Sequence, residues 1–318
     1  MQFRSNEINN IVNAGRINEL VKISEYKHQV QIENIVRIIA SYNEYTKNIP
    51  ITNGVFVTGP SSSGKTTTAK LIAKELEKNG YRSVHISLDD YYLTNEEICR
   101  LQSKPVGTPV DDLDMEAPST INIKLFKEQI NSLIAGKEIT LPRYNFSNQG
   151  ELKGDVIKAT NDDVIIIEGI HALNPLITDA LNFQQKILIY ISPFDNFISP
   201  EGKPLLKPCD VRFMRRCVRD AAERNMTLMQ ELKMWPKVRE GEEKYIKPMK
   251  KYANLFFVTS LQYEVPVLKY RMEMLIKELK PDEFELLKSI FPVEALDYFE
   301  SVEKIELSEK SIFNEFYR

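Results

Sequence analysis

One stretch of eight residues has the spacing of a phosphate-binding loop. Residues Gly59 to Thr66 read Gly-Pro-Ser-Ser-Ser-Gly-Lys-Thr, which satisfies the pattern GxxxxGK[ST]. The glycines let successive backbone N–H groups point at phosphates, Lys65 can reach the terminal phosphates, and the Thr66 hydroxyl can bind Mg²⁺. Because an apolar, β-branched run precedes the loop and a helical pattern follows it, the segment indicates an ATP-dependent kinase. The predicted ATP-binding residues are Gly59, Ser61, Ser62, Ser63, Gly64, Lys65, Thr66 and Thr67.

Acidic residues follow two other apolar runs. Asp89 and Asp90 come after His85-Ile-Ser-Leu, at the position where open α/β sheets bind their ligands. A carboxylate there can orient an acceptor hydroxyl and take its proton during phosphoryl transfer, although a turn or a helix cap also fits these residues. Glu168 ends the run Ile165-Ile-Ile, which predicts a magnesium site shared with Thr66, with capping as the alternative.

A third candidate feature is basic. The spacing i, i+3, i+4 and i+7 puts four guanidinium groups on one helical face: Arg212, Arg215, Arg216 and Arg219. A charged face is usually a solvated surface. However, Asp210 and Asp220 offer few local partners, and clustered guanidinium groups suit the recognition of phosphate. We therefore predict a mobile lid that carries arginines.

The rest of the sequence predicts the scaffold. Five short β-rich runs alternate with helical or loop segments: Val55–Thr58, Ser83–Ser87, Val164–Ile167, Ile187–Ile191 and Leu255–Val258. Such runs predict an α/β fold with a parallel sheet flanked by helices. We expect a helical segment at 1–50, a kinase core at 51–275, and a helical extension at 276–318. The stretch from Pro105 to Gly154, rich in turn-forming residues, looks like an insertion near the site.

Composition narrows the class of protein. The 318 residues are 42% hydrophobic and 27% charged with a net charge of −3, which gives no indication of a nucleic-acid or membrane partner. No apolar run is long enough to cross a bilayer. Cys99, Cys209 and Cys217 lack CxxC spacing and fit a reducing compartment, so we expect a cytoplasmic protein. The sequence leaves open whether the protein forms a homo-oligomer.

In combination, these motifs resemble the uridine kinase branch of the phosphoribulokinase/uridine kinase family. The similar segments are GPSSSGKTT, SLDDYY, LPRYNF, IIIEGIHALNP, DVRFMRRCVRD and WPKVREGEEKYI. The phosphate-binding loop is common to many families, whereas this combination is specific. The resemblance runs from about residue 20 to the end of the sequence and implies a P-loop kinase that uses ATP and Mg²⁺ to phosphorylate the 5′-hydroxyl of a nucleoside, most readily uridine or cytidine.

The resemblance also implies residue roles. Asp89 matches the general base, and Lys65, Arg215 and Arg219 match groups that face the phosphates during catalysis. The residues that match or adjoin substrate contacts are Tyr92, Asp114, Glu116, Arg143, Tyr144, Phe146 and Arg212. Of these, Glu116 is in the place of an acid that holds the sugar hydroxyls, and Tyr92 matches the aromatic residue that lines the nucleoside pocket. Tyr144 and Phe146 match residues beside the nucleobase.

Two departures from the family pattern leave the nucleobase preference open. Glu116 replaces the more usual aspartate, and Asn145-Phe-Ser-Asn lacks the pocket histidine of animal uridine kinases. The acceptor could instead be another hydroxyl metabolite, as in phosphoribulokinase or pantothenate kinase. From a different class, a regulatory module could keep the loop and lose turnover, although binding alone would not require a base such as Asp89.

Overall fold

The computed structural model describes residues 2–45, 53–145, 150–160 and 162–317. Phe146, which was expected beside the base, lies outside these ranges. Within them, no helix combines the length and the apolar character that crossing a membrane would require.

A parallel sheet of five strands forms the centre of the molecule. In order across the sheet, the strands are β10 (Leu255–Val258), β7 (Gln185–Ser192), β2 (Asn53–Thr58), β6 (Val164–Glu168) and β3 (Ser83–Ser87), and every neighbouring pair is parallel. These five strands contain the five predicted runs, so the prediction of a parallel α/β sheet is confirmed. The other strands of the described residues are β1 (Gln2–Arg4), β4 (Ile139–Asn145), β5 (Gly150–Ile157), β8 (Asn196–Ile198) and β9 (Pro204–Leu206).

Helices cover both faces of this sheet. They are α1 (Ser5–Asn13), α2 (Ile17–Tyr45), α3 (Lys65–Lys78), α4 (Asn95–Leu101), α5 (Ile123–Ile134), α6 (Pro175–Thr178), α7 (Pro208–Arg224), α8 (Leu228–Gly241), α9 (Glu264–Ile276) and α10 (Pro281–Ile290). Side chains alternate along a strand, so Val55 and Val57 of β2 join one hydrophobic cluster while Phe56 joins the other. Burial on both faces explains the continuous apolar runs Val55–Val57 of β2 and Val164–Ile167 of β6.

The N-terminal segment is helical, as predicted, but it contributes more than helices. β1 pairs in parallel with β8 before α1 begins, and α2 packs against α3. Ile32, Ile35, Val36 and Ile39, whose helical spacing is apparent in the sequence, are all buried. The segment is therefore attached to the kinase core by a strand as well as by helix packing.

The structure was predicted least well in two segments, the Pro105–Gly154 stretch and the C-terminus. The first contains helix α5, which buries one face through Phe126, Ile130 and Leu133, and the antiparallel β4–β5 hairpin, so only part of it is an irregular loop. The C-terminal extension is largely irregular after α10, with short 3₁₀ turns at Val293–Tyr298 and Ile312–Glu315. The expectation of a helical tail is therefore wrong beyond Ile290, because single apolar side chains such as Val302 and Ile305 anchor an extended chain there.

Candidate active site

The loop between β2 and α3 is shaped to hold an anion. A Cβ atom on Gly59 would lie 2.0 Å from the carbonyl oxygen of Ile191, and Gly64 has a φ of +86°, so neither position tolerates a side chain easily. The hydroxyls of Ser62 and Ser63 are buried and have no hydrogen-bond partner among the described residues. Buried donors without partners, at the start of a 14-residue helix, fit a bound phosphate.

A cavity of about 770 Å³ opens beside this loop, next to the 3₁₀ turn that follows β3. Eleven of the predicted site residues line it: Ser61, Ser62, Gly64, Lys65, Thr66, Thr67, Asp89, Tyr92, Asp114, Glu116 and Arg219. The lining does not include seven others: Gly59, Ser63, Arg143, Tyr144, Glu168, Arg212 and Arg215. The fold therefore brings the nucleotide-binding and acceptor-binding predictions together in one space.

Glu168 lies below the loop, where a magnesium ligand was predicted. Its Oε1 accepts hydrogen bonds from Thr66 Oγ1 at 3.2 Å and from Ser87 Oγ at 2.8 Å. Its Oε2 is buried and has no partner among the described residues. Burial, and then the charge of Asp89, raise the pKa of Glu168 to about 7. An unpartnered carboxylate oxygen beside a hydroxyl is a donor set that fits Mg²⁺.

Asp89 and Asp90 occupy a 3₁₀ turn rather than a strand end. β3 ends at Ser87, and the turn Leu88–Tyr91 separates the two carboxylates because neighbouring side chains on a 3₁₀ helix diverge by about 120°. Asp89 lines the cavity, whereas Asp90 accepts a backbone hydrogen bond from Tyr144. Burial raises the pKa of Asp89, and the positive charges of Lys65, Arg224 and Arg219 oppose that rise.

Another part of the cavity wall is formed by the loop that contains Asp114 and Glu116. Burial raises the pKa of Glu116 to about 7, against the charges of Arg216 and Lys65. Tyr92 donates a hydrogen bond to the carbonyl of Met115 at 3.3 Å. The Tyr92 ring also lies 5.6 Å from the ring of Tyr144, which places an aromatic wall next to the acids.

Helix α8 supplies residues that the sequence did not single out. The Tyr245 hydroxyl, in the π-helical turn after α8, donates to Asp114 Oδ2 at 2.8 Å. A Cβ atom on Gly241 would lie 2.2 Å from the Cβ of Glu116, so the acid loop packs directly on the helix backbone. Both residues lie in WPKVREGEEKYI, one of the segments that carry the family resemblance, although neither was given a role there. A glycine inside a helical run was a further signal for Gly241.

Arg143 does not line the cavity. It pairs with Asp155 of the neighbouring strand at 2.8 Å, and 60% of its side chain is exposed. The structure therefore gives it a cross-strand ion pair in the β4–β5 hairpin rather than a contact with the cavity.

The arginine stripe of α7 is in the interior. All residues from Val211 to Asp220 are buried, so the stripe is neither a solvated face nor an exposed lid surface. Each guanidinium group has an acidic partner: Arg212–Glu242 at 2.5 Å, Arg215–Glu264 at 2.7 Å, Arg216–Glu231 at 2.6 Å and Arg219–Asp220 at 2.7 Å. Three of these partners are distant in sequence, which is why local pairing looked insufficient.

Three of the same arginines brace the phosphate-binding loop. Arg212 donates to the carbonyl of Ser61 at 3.0 Å, Arg216 donates to the Ser61 hydroxyl at 3.0 Å, and Arg215 lies 3.5 Å from the carbonyl of Ser62. Arg215 has no exposed side-chain surface, so a direct contact with phosphate does not fit this arrangement. Arg212, 2% exposed, is likewise a support for the loop rather than a nucleoside contact.

Comparison with known proteins agrees with this geometry. A model of the phosphoribulokinase/uridine kinase family matches residues 55–199. The chain is 30% identical over 201 residues to a uridine kinase from Macrococcus caseolyticus, covering 63% of this chain and 84% of that protein. It is also 30% identical over 200 residues to uridine-cytidine kinase B from Dictyostelium discoideum, covering 63% and 71%. The chain belongs to the phosphoribulokinase/uridine kinase family.

Family membership makes this chain a phosphotransferase. The range that matches the family model contains the phosphate-binding loop, Asp89, Glu116 and Glu168. A solved structure of a candidate fructose transport system kinase from Silicibacter sp. TM1040 superposes with a TM-score of 0.50 at 15% identity. It covers 71% of this chain and 98% of that one. That similarity confirms the P-loop kinase fold. The range matched by the family model ends at residue 199, before α7 and the C-terminal tail.

Proposed function

We propose that this kinase transfers the terminal phosphoryl group of ATP to the 5′-hydroxyl of a nucleoside, with uridine and cytidine as the first candidates. The observation that carries the proposal is the position of Lys65. Its ammonium group shares one cavity with Asp89 and Glu116. Burial raises the pKa of Asp89, Glu116 and Glu168, the groups assigned to the base, the sugar and the metal, and the positive charge of Lys65 opposes that rise in each. The positive charge of Lys65, in the phosphate-binding loop, therefore favours the ionised form of all three carboxyl groups.

The nucleotide would bind along the loop and the start of α3. Backbone N–H groups and the hydroxyls of Ser62 and Ser63 hold phosphate oxygens, while Lys65 balances charge on the transferred group. Thr66 and Glu168 would hold Mg²⁺, which supplies charge neutralisation between the phosphates. Arg216 and Arg219, the two arginines of the stripe that line the cavity, add positive charge at the same end.

The acceptor would bind between the acid loop and the aromatic wall. Asp89 takes the proton of the 5′-hydroxyl while that oxygen forms a bond to the terminal phosphorus and the bond to ADP breaks. The raised pKa of Asp89 makes it a stronger base. Glu116 accepts hydrogen bonds from the sugar hydroxyls of the nucleoside, and Tyr92 packs against its nucleobase.

The names of the relatives support a nucleoside acceptor, since they are a uridine kinase and a uridine-cytidine kinase. The product would be a nucleoside monophosphate, which places the proposed reaction in pyrimidine salvage. Free cysteines at Cys99, Cys209 and Cys217 fit the reducing cytoplasm.

The direct test measures ADP release with ATP, Mg²⁺ and a panel of acceptors. We expect turnover with uridine or cytidine, its loss in chelator, and its recovery when Mg²⁺ is restored. Lys65→Ala should abolish turnover, whereas Lys70→Ala, which removes an exposed lysine of the same cavity wall, should retain most of it.

Two results would contradict the proposal. Turnover only with a different hydroxyl metabolite, such as a sugar phosphate or pantothenate, would change the acceptor class. Tight ADP binding without turnover on any acceptor would instead favour a regulatory module.

A further inference from the structure

The C-terminal tail reaches the nucleotide end of the cavity. Glu309, Ser311, Asn314 and Glu315 are part of the cavity wall, although they lie about 250 residues after the phosphate-binding loop. The Cδ1 atom of Ile312 lies 3.8 Å from the position that a Cβ atom on Gly64 would occupy. The tail is therefore in contact with the loop itself.

Glu315 makes the polar contacts of this wall. Its Oε2 accepts a hydrogen bond from Thr67 Oγ1 at 2.8 Å, and its Oε1 lies 3.5 Å from Nη1 of Arg219. Thr67 and Arg219 are two of the groups assigned to phosphate binding. The Glu315 side chain is 20% exposed, so the carboxylate lies at the edge of the cavity rather than in the core.

Apolar contacts hold the tail in this position. Ile312, Phe313 and Phe316 are buried, and the Phe313 ring lies 5.4 Å from the ring of Tyr263. The guanidinium of Arg215 lies 5.0 Å from the Phe316 ring. Detaching the tail would expose all three apolar side chains to water, which is strongly unfavourable. The buried side chains therefore hold the tail against the core, while the Glu315 carboxylate remains partly exposed at the edge of the cavity.

We propose that Glu315 is a residue of the nucleotide site and competes with nucleotide phosphate for the Thr67 hydroxyl and the Arg219 guanidinium. A hydroxyl has one hydrogen to donate, so Thr67 cannot donate to Glu315 and to a phosphate oxygen at the same time. The carboxylate and the phosphate are both anions, so they repel each other when both lie beside Thr67 and Arg219. Arg219 keeps its 2.7 Å pair with Asp220 when Glu315 leaves. This inference rests on the proposed binding of nucleotide at the loop.

The competition predicts that a neutral side chain at position 315 tightens nucleotide binding. We expect Glu315→Gln to lower the Kd for ADP about tenfold, since a charge-assisted hydrogen bond would be replaced by a weaker neutral one. The matched control is Glu309→Gln, which removes the same charge from the same wall without a contact to Thr67 or Arg219 in the described structure. Its Kd should remain within about twofold of wild type.

The measurement is calorimetric titration of ADP with Mg²⁺ into the full chain and each variant, after thermal unfolding shows that all are folded. In a Thr67→Ala background, Glu315→Gln should give a smaller gain, because part of the competition is already absent. Equal or weaker ADP binding by Glu315→Gln would overturn the inference, as would an equal gain from Glu309→Gln. A wild-type protein that binds no ADP would overturn the proposed function itself, so the two failures are distinguishable.

Discussion

Glu116 is buried at a cost to stability that a neutral amide should remove. The unfolded chain ionises this carboxyl near 4.5, whereas burial raises its pKa to about 7 in the folded protein. Between these two values the folded state binds the proton more tightly than the unfolded state, so rising pH destabilises the fold. One pKa unit corresponds to about 1.4 kcal/mol, which gives about 3 kcal/mol at pH 8. Below 4.5 both states are protonated and the effect vanishes.

Glu116→Gln should therefore stabilise the protein in a pH-dependent way. Because the buried Oε2 of Glu116 has no hydrogen-bond partner among the described residues, the amide loses little when it replaces the carboxyl. We expect a gain in the free energy of unfolding of about 3 kcal/mol at pH 8 and less than about 1 kcal/mol at pH 5. Urea unfolding at both pH values measures it, with Glu240→Gln as the control on an exposed residue of the same wall.

The reasoning would be refuted by a gain that is equal at the two pH values, or by a loss of stability at pH 8. The same variant should bind the acceptor poorly, because Glu116 is assigned to the sugar hydroxyls. A more stable but less active enzyme is the expected combination when a buried charge serves function.

Three further predictions use steady-state kinetics and thermal unfolding. Asp89→Asn should lower kcat by about 10²- to 10⁴-fold with ADP affinity retained, whereas Asp90→Asn should keep most turnover; the reverse order would move the base to Asp90. Gly241→Ala places a methyl group 2.2 Å from the Cβ of Glu116 and should raise the acceptor KM at least tenfold while ADP binding is unchanged, so an unaltered KM would separate this helix from the acceptor site. Arg215→Ala should lower the free energy of unfolding by about 3–5 kcal/mol, because it leaves a fully buried carboxylate unpaired; a stable but slow variant would return this arginine to direct catalysis.

Local patterns in the sequence were sufficient for the sheet and the phosphate-binding loop. The strand Val164–Glu168 is apolar because neighbours bury both of its faces, and a continuous apolar run followed by an acid records that environment directly. The loop is similarly self-contained, since Gly59, Gly64 and Lys65 act through the backbone that they belong to. Such features can be predicted without the fold.

Contacts between distant segments could not be predicted in this way. Glu264 and Glu242 are the partners of Arg215 and Arg212, but nothing near α7 in the sequence points to either acid. Glu315 and Thr67 are 248 positions apart in the sequence. The chain around Glu315 is irregular, so no periodic pattern in the sequence predicts their contact. The spacing of the arginines suggested phosphate binding. Their acidic partners could not be predicted, because tertiary packing brings those acids to α7 from other segments.

The buried pairs of α7 also limit how this sequence can change over time. Replacing one member alone removes the principal partner of a buried charge, at a cost of up to about 3–5 kcal/mol, which is a large fraction of the stability of a typical protein. Arg216 and Glu231, only 15 positions apart and 2.6 Å from each other, should therefore be lost or exchanged together. An alignment of close relatives would show this as correlated substitution, with apolar residues at both positions as the expected alternative state.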